Sequence, residues 1–431
     1  MENCFVIKGN FCQTKDPKEL DLHENAFAVC VDGISQGIFD VLPEEYASFP
    51  LYDYGDGLIF PGMVDLHVHA PQYAFRGMCM DLELMEWLNR YTFPEEEKYE
   101  DLAYAEKAYG LFVEALKNGA TTRACIFATR HRYATELLMR QMEESGLVSF
   151  VGKVNMDREA SEGLTEKSAD ISAYTTFGWI NAVKDKFLRT KPILTPRFIP
   201  CCTDALMEEL RQIQMTYGIP VQSHLSESKG EIDFVKFLRP DDPFYGDAYN
   251  DYDLFGKNDD IHTDVKTVMA HCVWSTEEEV ALMGRNGVFV AHCPASNMNL
   301  TSGIAPIRKY LDRGLKIGLG SDIAGGHSDS IFRAITDAIQ VSKMYFRMVD
   351  ESAKPLVFSE AFYLATKGGG EFFGNVGSFE KGYEFDAVFL DDSVLPHPQP
   401  LNLAERMERA VYLGLDSRKI TAKFVAGRKI L

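Results

Sequence analysis

Eight apolar, strand-like runs separated by helix-length segments constrain this chain more than any other feature. They are LIFPGMVDLHVH, ATTRACIFA, LVSFVGKV, PILTPRF, IPVQSHL, VKTVMAHCV, GVFVAHC and LKIGLGSD, in a texture that extends from Ile59 to about Lys367. Strands that alternate with helices pair in parallel, and eight such units close into a (β/α)8 TIM-like barrel of the α/β class. A doubly wound sheet is the alternative, but it usually carries a glycine-rich turn after its first strand, and here that strand ends in His-x-His. Residues 1–58 and 368–431 instead show short β-rich runs such as AFAVCVDG and ITAKFVAG. Both termini are therefore expected to build one small β-sandwich domain beside the barrel of residues 59–367.

Two connections exceed the usual loop length. Residues 70–105 follow the first strand, and 226–265 follow the fifth with the acidic, aromatic stretch RPDDPFYGDAYNDYDLFGKNDD. Either can be a lid at the strand C-terminal ends, and the second reads equally well as a solvated excursion. Ser275 and Glu278 fit a capping box, which predicts a helix start just ahead of VALM.

Charge narrows the class of partner. With 44 Lys plus Arg against 64 Asp plus Glu, the net charge of −20 repels phosphate backbones and anionic lipid, so neither nucleic acid nor a membrane is an expected partner. The first residues, MENCFVIKGNFCQTKD, show no basic stretch followed by an apolar run. Nine scattered cysteines, odd in number, fit reduced thiols and a cytoplasmic address.

The chemistry concentrates at strand ends. His67 and His69 are two apart in a strand, so the pleat turns both imidazoles to one side; alone, the pair reads as metal ligands or as ordinary polar neighbours. His224 closes the fifth strand, His271 the sixth and Asp322 the eighth, at the face where a barrel gathers its active site. Neutral imidazoles and a carboxylate suit one zinc ion per chain, which lowers the pKa of a water to about 7. Iron(II) accepts the same donors. No lysine ends the fourth strand to bridge a second ion, although Lys153 lies in the third. Glu227, three residues beyond His224, is either a proton shuttle or a charge favoured at the next helix N-terminus. His131 and His292 read as structural hydrogen-bonding residues, and His327 as a neighbour of the ligands or of substrate. A Cys293–His292 dyad is excluded because strand neighbours face opposite ways.

PGMVDLHVH, SHLSES, MAHC and GLGSD together resemble the amidohydrolase superfamily, and HAPQYAFRGMCMDLELMEWLNRYTFPEE, TPRF and AHCPASNMNL resemble its guanine deaminases. The resemblance implies a barrel with a flanking β domain, metal ligands at His67, His69, His224 and Asp322, a proton shuttle at Glu227, and His271 beside the attacking water. It places substrate contacts at Gln72, Arg197 and Phe198, types able to pair with a purine edge and pack on its face. It also implies zinc-dependent conversion of guanine to xanthine and ammonia by a cytoplasmic homodimer. Ser321 and His327 depart from the pattern, leaving room for deamination of another amino-heterocycle such as 8-oxoguanine, a pterin or an aminotriazine. A catalytically dead structural relative is disfavoured because all the ligand positions are filled.

Overall fold

A computed structural model describes residues 3–257, 265–417 and 419–431. Its N-terminal strands are β1 (Phe5–Gln13), β2 (Asp21–Val31), β3 (Ile34–Phe39) and β4 (Leu51–Pro61). Asp32 and Gly33 link β2 to β3 with φ of 50° and 86°, the paired left-handed residues that a two-residue hairpin loop requires. The barrel strands follow as β5 (Met63–His69), β6 (Thr121–Phe127), β7 (Val148–Gly152), β8 (Val154–Asn155), β9 (Thr190–Pro192) and β10 (Thr195–Pro196). Next come β11 (Val221–Leu225), β12 (Thr267–His271), β13 (Phe289–His292) and β14 (Lys316–Leu319). The chain then returns to the first sheet as β15 (Ala387–Leu390), β16 (Ile420–Val425) and β17 (Arg428–Lys429).

Strands from the two termini form one seven-stranded sheet in the order β17-β16-β15-β4-β1-β2-β3. Phe5 on β1 and Phe424 on β16 are three places apart in that order, yet their ring centroids lie 4.9 Å apart. Neighbouring strands are about 4.8 Å apart, so a flat sheet would separate these residues by about 14 Å and the sheet must curl toward itself. Phe11, Phe379, Phe385 and Phe389 join them in a buried apolar cluster.

The barrel strands make two parallel four-stranded runs, β5-β6-β7-β9 and β11-β12-β13-β14, with the short β8 and β10 paired in parallel beside them, and all eight expected strands are present. Two seams close the ring. At one, Leu194 donates to Pro220 O and accepts from Gln222 N–H, each at 2.9 Å. At the other, Asp322 N–H donates to His67 O at 2.9 Å and His69 N–H to Ile323 O at 3.2 Å. Val64, Leu66, Val268, Ala270, Phe289, Ala291 and Cys293 fill the interior. Each large side chain removed from water there stabilises the fold by about 1.5–3 kcal/mol.

Leu66 and His67 are sequence neighbours, yet Leu66 joins the apolar interior while His67 gathers with His69 and His224. A register shift between Asp65 and Val68 in the β5–β6 pairing permits this, because one extra residue moves the alternation by one. The expected cap is also displaced: the helix Glu277–Asn286 is capped by Thr276, which accepts from Glu279 N–H, rather than by Ser275 with Glu278. Glu279 is buried instead, accepting from Ser226 Oγ–H and Gly246 N–H.

Candidate active site

At the C-terminal ends of the strands, the chain turns through backbone that side chains rarely adopt. Ser226, His271, Cys272 and Asp322 have φ of 48°, 73°, 49° and 47°. Left-handed conformations cost about 1–2 kcal/mol each, and their concentration at one rim turns the strand ends toward a common centre.

Four imidazoles and two carboxylates meet there, nearly all buried. His69 Nε2 lies 3.2 Å from His224 Nε2. Asp322 Oδ1 lies 3.2 Å from His67 Nε2 and 3.5 Å from His69 Nε2. A tetrahedral ion with bonds of about 2.0–2.1 Å needs donors about 3.3–3.4 Å apart, so these separations fit a single metal ion. The donor chemistry agrees. His224 Nδ1–H donates to Arg197 O at 2.6 Å, which leaves the Nε2 lone pair facing the cluster. His67 Nε2 has no hydrogen-bond partner among the described residues. Burial pushes the basicity of His67, His69 and His224 down, keeping them neutral, whereas burial of Asp322 is outweighed by the neighbouring histidines, which hold it well below the usual carboxylate range.

His271 and Glu227 complete the centre. His271 Nε2 lies 3.7 Å from Asp322 Oδ2 and 3.4 Å from Glu227 Oε2, and its Nδ1–H donates to Asn297 Oδ1 at 2.9 Å. Burial works against protonating His271, but the facing Glu227 and Asp322 carboxylates raise it above the ordinary imidazole value. Glu227 accepts from Ser302 Oγ–H at 3.0 Å, and burial pushes its carboxyl up to about 7. The alternative reading of Glu227 as a helix-terminal charge meets a different residue: Glu231 makes the capping box with Ser228 and also accepts from Glu227 N–H.

Beside the cluster is a pocket lined by Gln72, Arg197, Phe198, Glu227 and His271 and also by Leu84, Trp87 and Leu88. The last three come from the long connection after β5, which thus reaches the strand C-terminal ends and lines the pocket. The second long connection works elsewhere: Tyr249 donates to His224 O at 2.9 Å and bonds Ser223 Oγ at 2.8 Å, bracing β11. Its residues 258–264 lie outside the described residues.

Several residues had escaped the sequence reading. Glu96 grips Arg197 through both carboxylate oxygens, at 2.6 and 3.1 Å, and accepts from Gln72 Nε2–H at 2.9 Å. It closes the stretch HAPQYAFRGMCMDLELMEWLNRYTFPEE that carries the resemblance, but neither that stretch nor the acidic run around it names a partner for it. Asn297 stood in the AHCPASNMNL stretch without an assigned role, and Ser302 only as a polar residue beyond it. Asp65 accepts from His67 N–H at 3.2 Å and from Ser321 N–H at 3.0 Å, while also taking the Ser321 hydroxyl, so the unusual Ser321 anchors β14 to β5.

Neither ring nitrogen of His292 has a partner among the described residues, nor does Nε2 of His131; burial pushes these groups down to about 3 and about 4. Neither makes the ring hydrogen bonds expected of it at those atoms. His327 Nδ1 accepts from Asn299 at 3.1 Å, and Asn299 also donates to the carbonyl of Gly325, a pocket-lining residue. Lys153 is tied to Glu166 at 2.8 Å. Cys293 lies in the apolar interior, where burial raises its thiol well above the ordinary value.

Residues 58–430 match the model of the Amidohydrolase family. A guanine deaminase from C. acetobutylicum, solved with guanine bound in its active site, is 44% identical with a TM-score of 0.95, the match covering 99% of this chain and 100% of that one. The chain belongs to the amidohydrolase family, among its guanine deaminases. Guanine deaminases from Mus musculus and Dictyostelium discoideum are 39% and 38% identical, over 86% and 88% of this chain and 82% and 83% of theirs. Amidohydrolases are metal-dependent, and the donor set of His67, His69, His224, His271 and Asp322 is one that can hold an ion.

Proposed function

We propose that this amidohydrolase converts guanine and water to xanthine and ammonia, with Gln72, Arg197 and Phe198 binding the base and Glu227, His271 and Asp322 acting on it. The observation that carries this reading is the convergence of Gln72, Arg197, Phe198 and Glu227 on one small pocket that also exposes His69, His224, His271 and Asp322. A guanidinium donates to a purine carbonyl, an amide both donates and accepts, and a phenyl ring packs on the base face.

His67, His69, His224 and Asp322 would hold one zinc ion, the ion best suited to imidazole and carboxylate donors in a small tetrahedral site. Such an ion makes bound water acidic enough to supply a nucleophile at neutral pH. Asp322 accepts a proton from the attacking water as its oxygen adds to the carbon bearing the exocyclic amine. Glu227, which its burial keeps partly protonated near neutral pH, delivers a proton to the adjacent ring nitrogen. His271, near both carboxylates, orients the attacking oxygen and offsets the charge that develops on it. The carbon–nitrogen bond then breaks as the proton held by Asp322 passes to the amine, which leaves as ammonia, while the remaining hydroxyl proton returns to Glu227 and the new carbonyl forms. Gln72 and Arg197 keep the ring still throughout.

The wider reading divides the molecule into a barrel of residues 59–367 and a β-sandwich of 1–58 with 368–431, supported by the Phe5–Phe424 contact across the curled sheet. The nine free cysteines support a cytoplasmic address, and the family resemblance supports a homodimer. Among the described residues no helix is long and apolar enough to cross a membrane.

The test is the ultraviolet spectrum of guanine with purified, zinc-supplemented protein. Conversion to xanthine is expected. Unchanged guanine with one metal bound per chain would move the search to related amino-heterocycles.

A further inference from the structure

Glu96 lies behind the pocket rather than in its lining and is fully buried, yet it touches both polar side chains that face the base. Its Oε1 accepts from Gln72 Nε2 at 2.9 Å and from Arg197 Nη2 at 3.1 Å, and its Oε2 accepts from Arg197 Nη1 at 2.6 Å. We infer that Glu96 is a positioning residue that fixes the donor and acceptor pattern of the base pocket and cancels the charge of Arg197, so that the pocket favours a neutral purine over an oxypurine anion. This rests on the reading of the pocket as a purine site.

The pattern follows from atom counting. Gln72 Oε1 accepts from Ala324 N–H at 2.9 Å, so its amide is held at both ends. Flipping it would set a carbonyl against the Glu96 carboxylate and an NH2 against a backbone N–H. Orientation is therefore forced, leaving one Nε2 hydrogen and one Oε1 lone pair for a ligand. Arg197 commits two of its five donors to Glu96, and among the described residues its side chain makes no other hydrogen bond. Without Glu96 the amide could rotate and the guanidinium would be a buried, uncompensated cation.

The charge balance bears on product release. Xanthine has an imide N–H between two carbonyls and is a stronger acid than guanine, so mildly alkaline solution holds part of it as an anion. A bare Arg197 cation would retain that anion, whereas the Arg197–Glu96 pair presents no net charge to it.

The test compares wild type with Glu96→Gln and Glu96→Asp, each checked for metal content and unfolding midpoint, by guanine turnover and by calorimetric binding of xanthine at neutral and mildly alkaline pH. In Glu96→Gln, kcat/KM for guanine is expected to fall about 100-fold, as for loss of a partner in a buried ion pair. Xanthine is expected to bind about tenfold tighter than to wild type at the alkaline pH only. Xanthine binding that weakens in step with guanine at both pH values would overturn the inference, as would unchanged guanine turnover. If Glu96→Gln does not fold, Glu96→Asp decides: the charge is kept, so the pH profile of xanthine binding stays as in wild type while the KM for guanine rises. A changed profile there also overturns it. Xanthine binding needs no turnover, so it separates this inference from the deaminase reading, which fails if the wild type leaves guanine unchanged.

Discussion

The barrel buries charge at both ends, and it treats the two ends differently. Near the start of β6, Arg123 donates to both oxygens of Asp386 at 2.7 and 3.1 Å and to Glu384 at 2.9 Å. Asp386 also accepts from Thr122 Oγ–H and Ala426 N–H, so the carboxylate that joins terminal sheet to barrel is fully paired. At the other end, His67 Nε2 and His69 Nδ1 have no hydrogen-bond partner among the described residues. A satisfied buried network needs nothing more and serves to hold two parts of the chain together. An unsatisfied cluster of neutral imidazoles costs stability unless something from outside completes it.

This contrast makes opposite demands on mutants. Glu227→Gln at the mouth should lower kcat for guanine about 1000-fold, as for loss of an acid–base group, with little change in the urea midpoint. A variant of near-normal turnover would remove Glu227 from the mechanism. Asp386→Ala at the floor should do the reverse, destabilising the fold by about 3 kcal/mol because buried Arg123 loses two of its three carboxylate bonds and keeps only the half-exposed Glu384, while kcat per folded molecule holds. A large loss of kcat there would mean that the two ends are coupled and that the comparison fails.

Removing the metal sharpens the same point. At a metal concentration about 100-fold above its dissociation constant, binding stabilises the fold by about 2.7 kcal/mol, so chelation should abolish turnover and lower the unfolding midpoint. The chelation effect and the Asp386→Ala effect should add, since distant sites without shared partners are independent. Thermal unfolding of the chelated variant measures this, and marked non-additivity would argue for a shared network.

The mouth was the more legible end, because its chemistry is written in residue types at strand termini. His67, His69, His224, His271 and Asp322 stand where parallel strands must end, and five metal-capable side chains gathered at one rim of a barrel do not serve packing alone. That the long connection after β5 reaches the strand C-terminal ends was legible from its length alone. What could not be read were partners distant in sequence: Glu96 meets Arg197 across 101 positions, and Arg123 meets Asp386 across 263. Neither residue carries a local pattern that distinguishes it from a solvated charge. The register shift in β5 was equally hidden, since a bulge depends on the facing strand as much as on its own residues.

The smallest expected effect concerns Lys423 on β16, which donates to Leu116 O and Thr121 O, both at 2.9 Å, without reaching solvent. Burial pushes this ammonium down to about 7, although Asp386 and Asp416 pull it upward. In the unfolded chain its value is about 10.4, so between these limits the unfolded state holds a proton that the folded state has released. Stability from this group therefore rises as pH climbs through that window, and below it both states are charged and the penalty of burying the cation is felt in full. Urea midpoints measured at neutral and alkaline pH should climb in the wild type and climb less in Lys423→Met, which cannot titrate. Equal slopes in the two proteins would mean that Lys423 keeps its charge inside the fold. The floor would then hold a second paired cation beside Arg123, and the contrast with the mouth would be wider still.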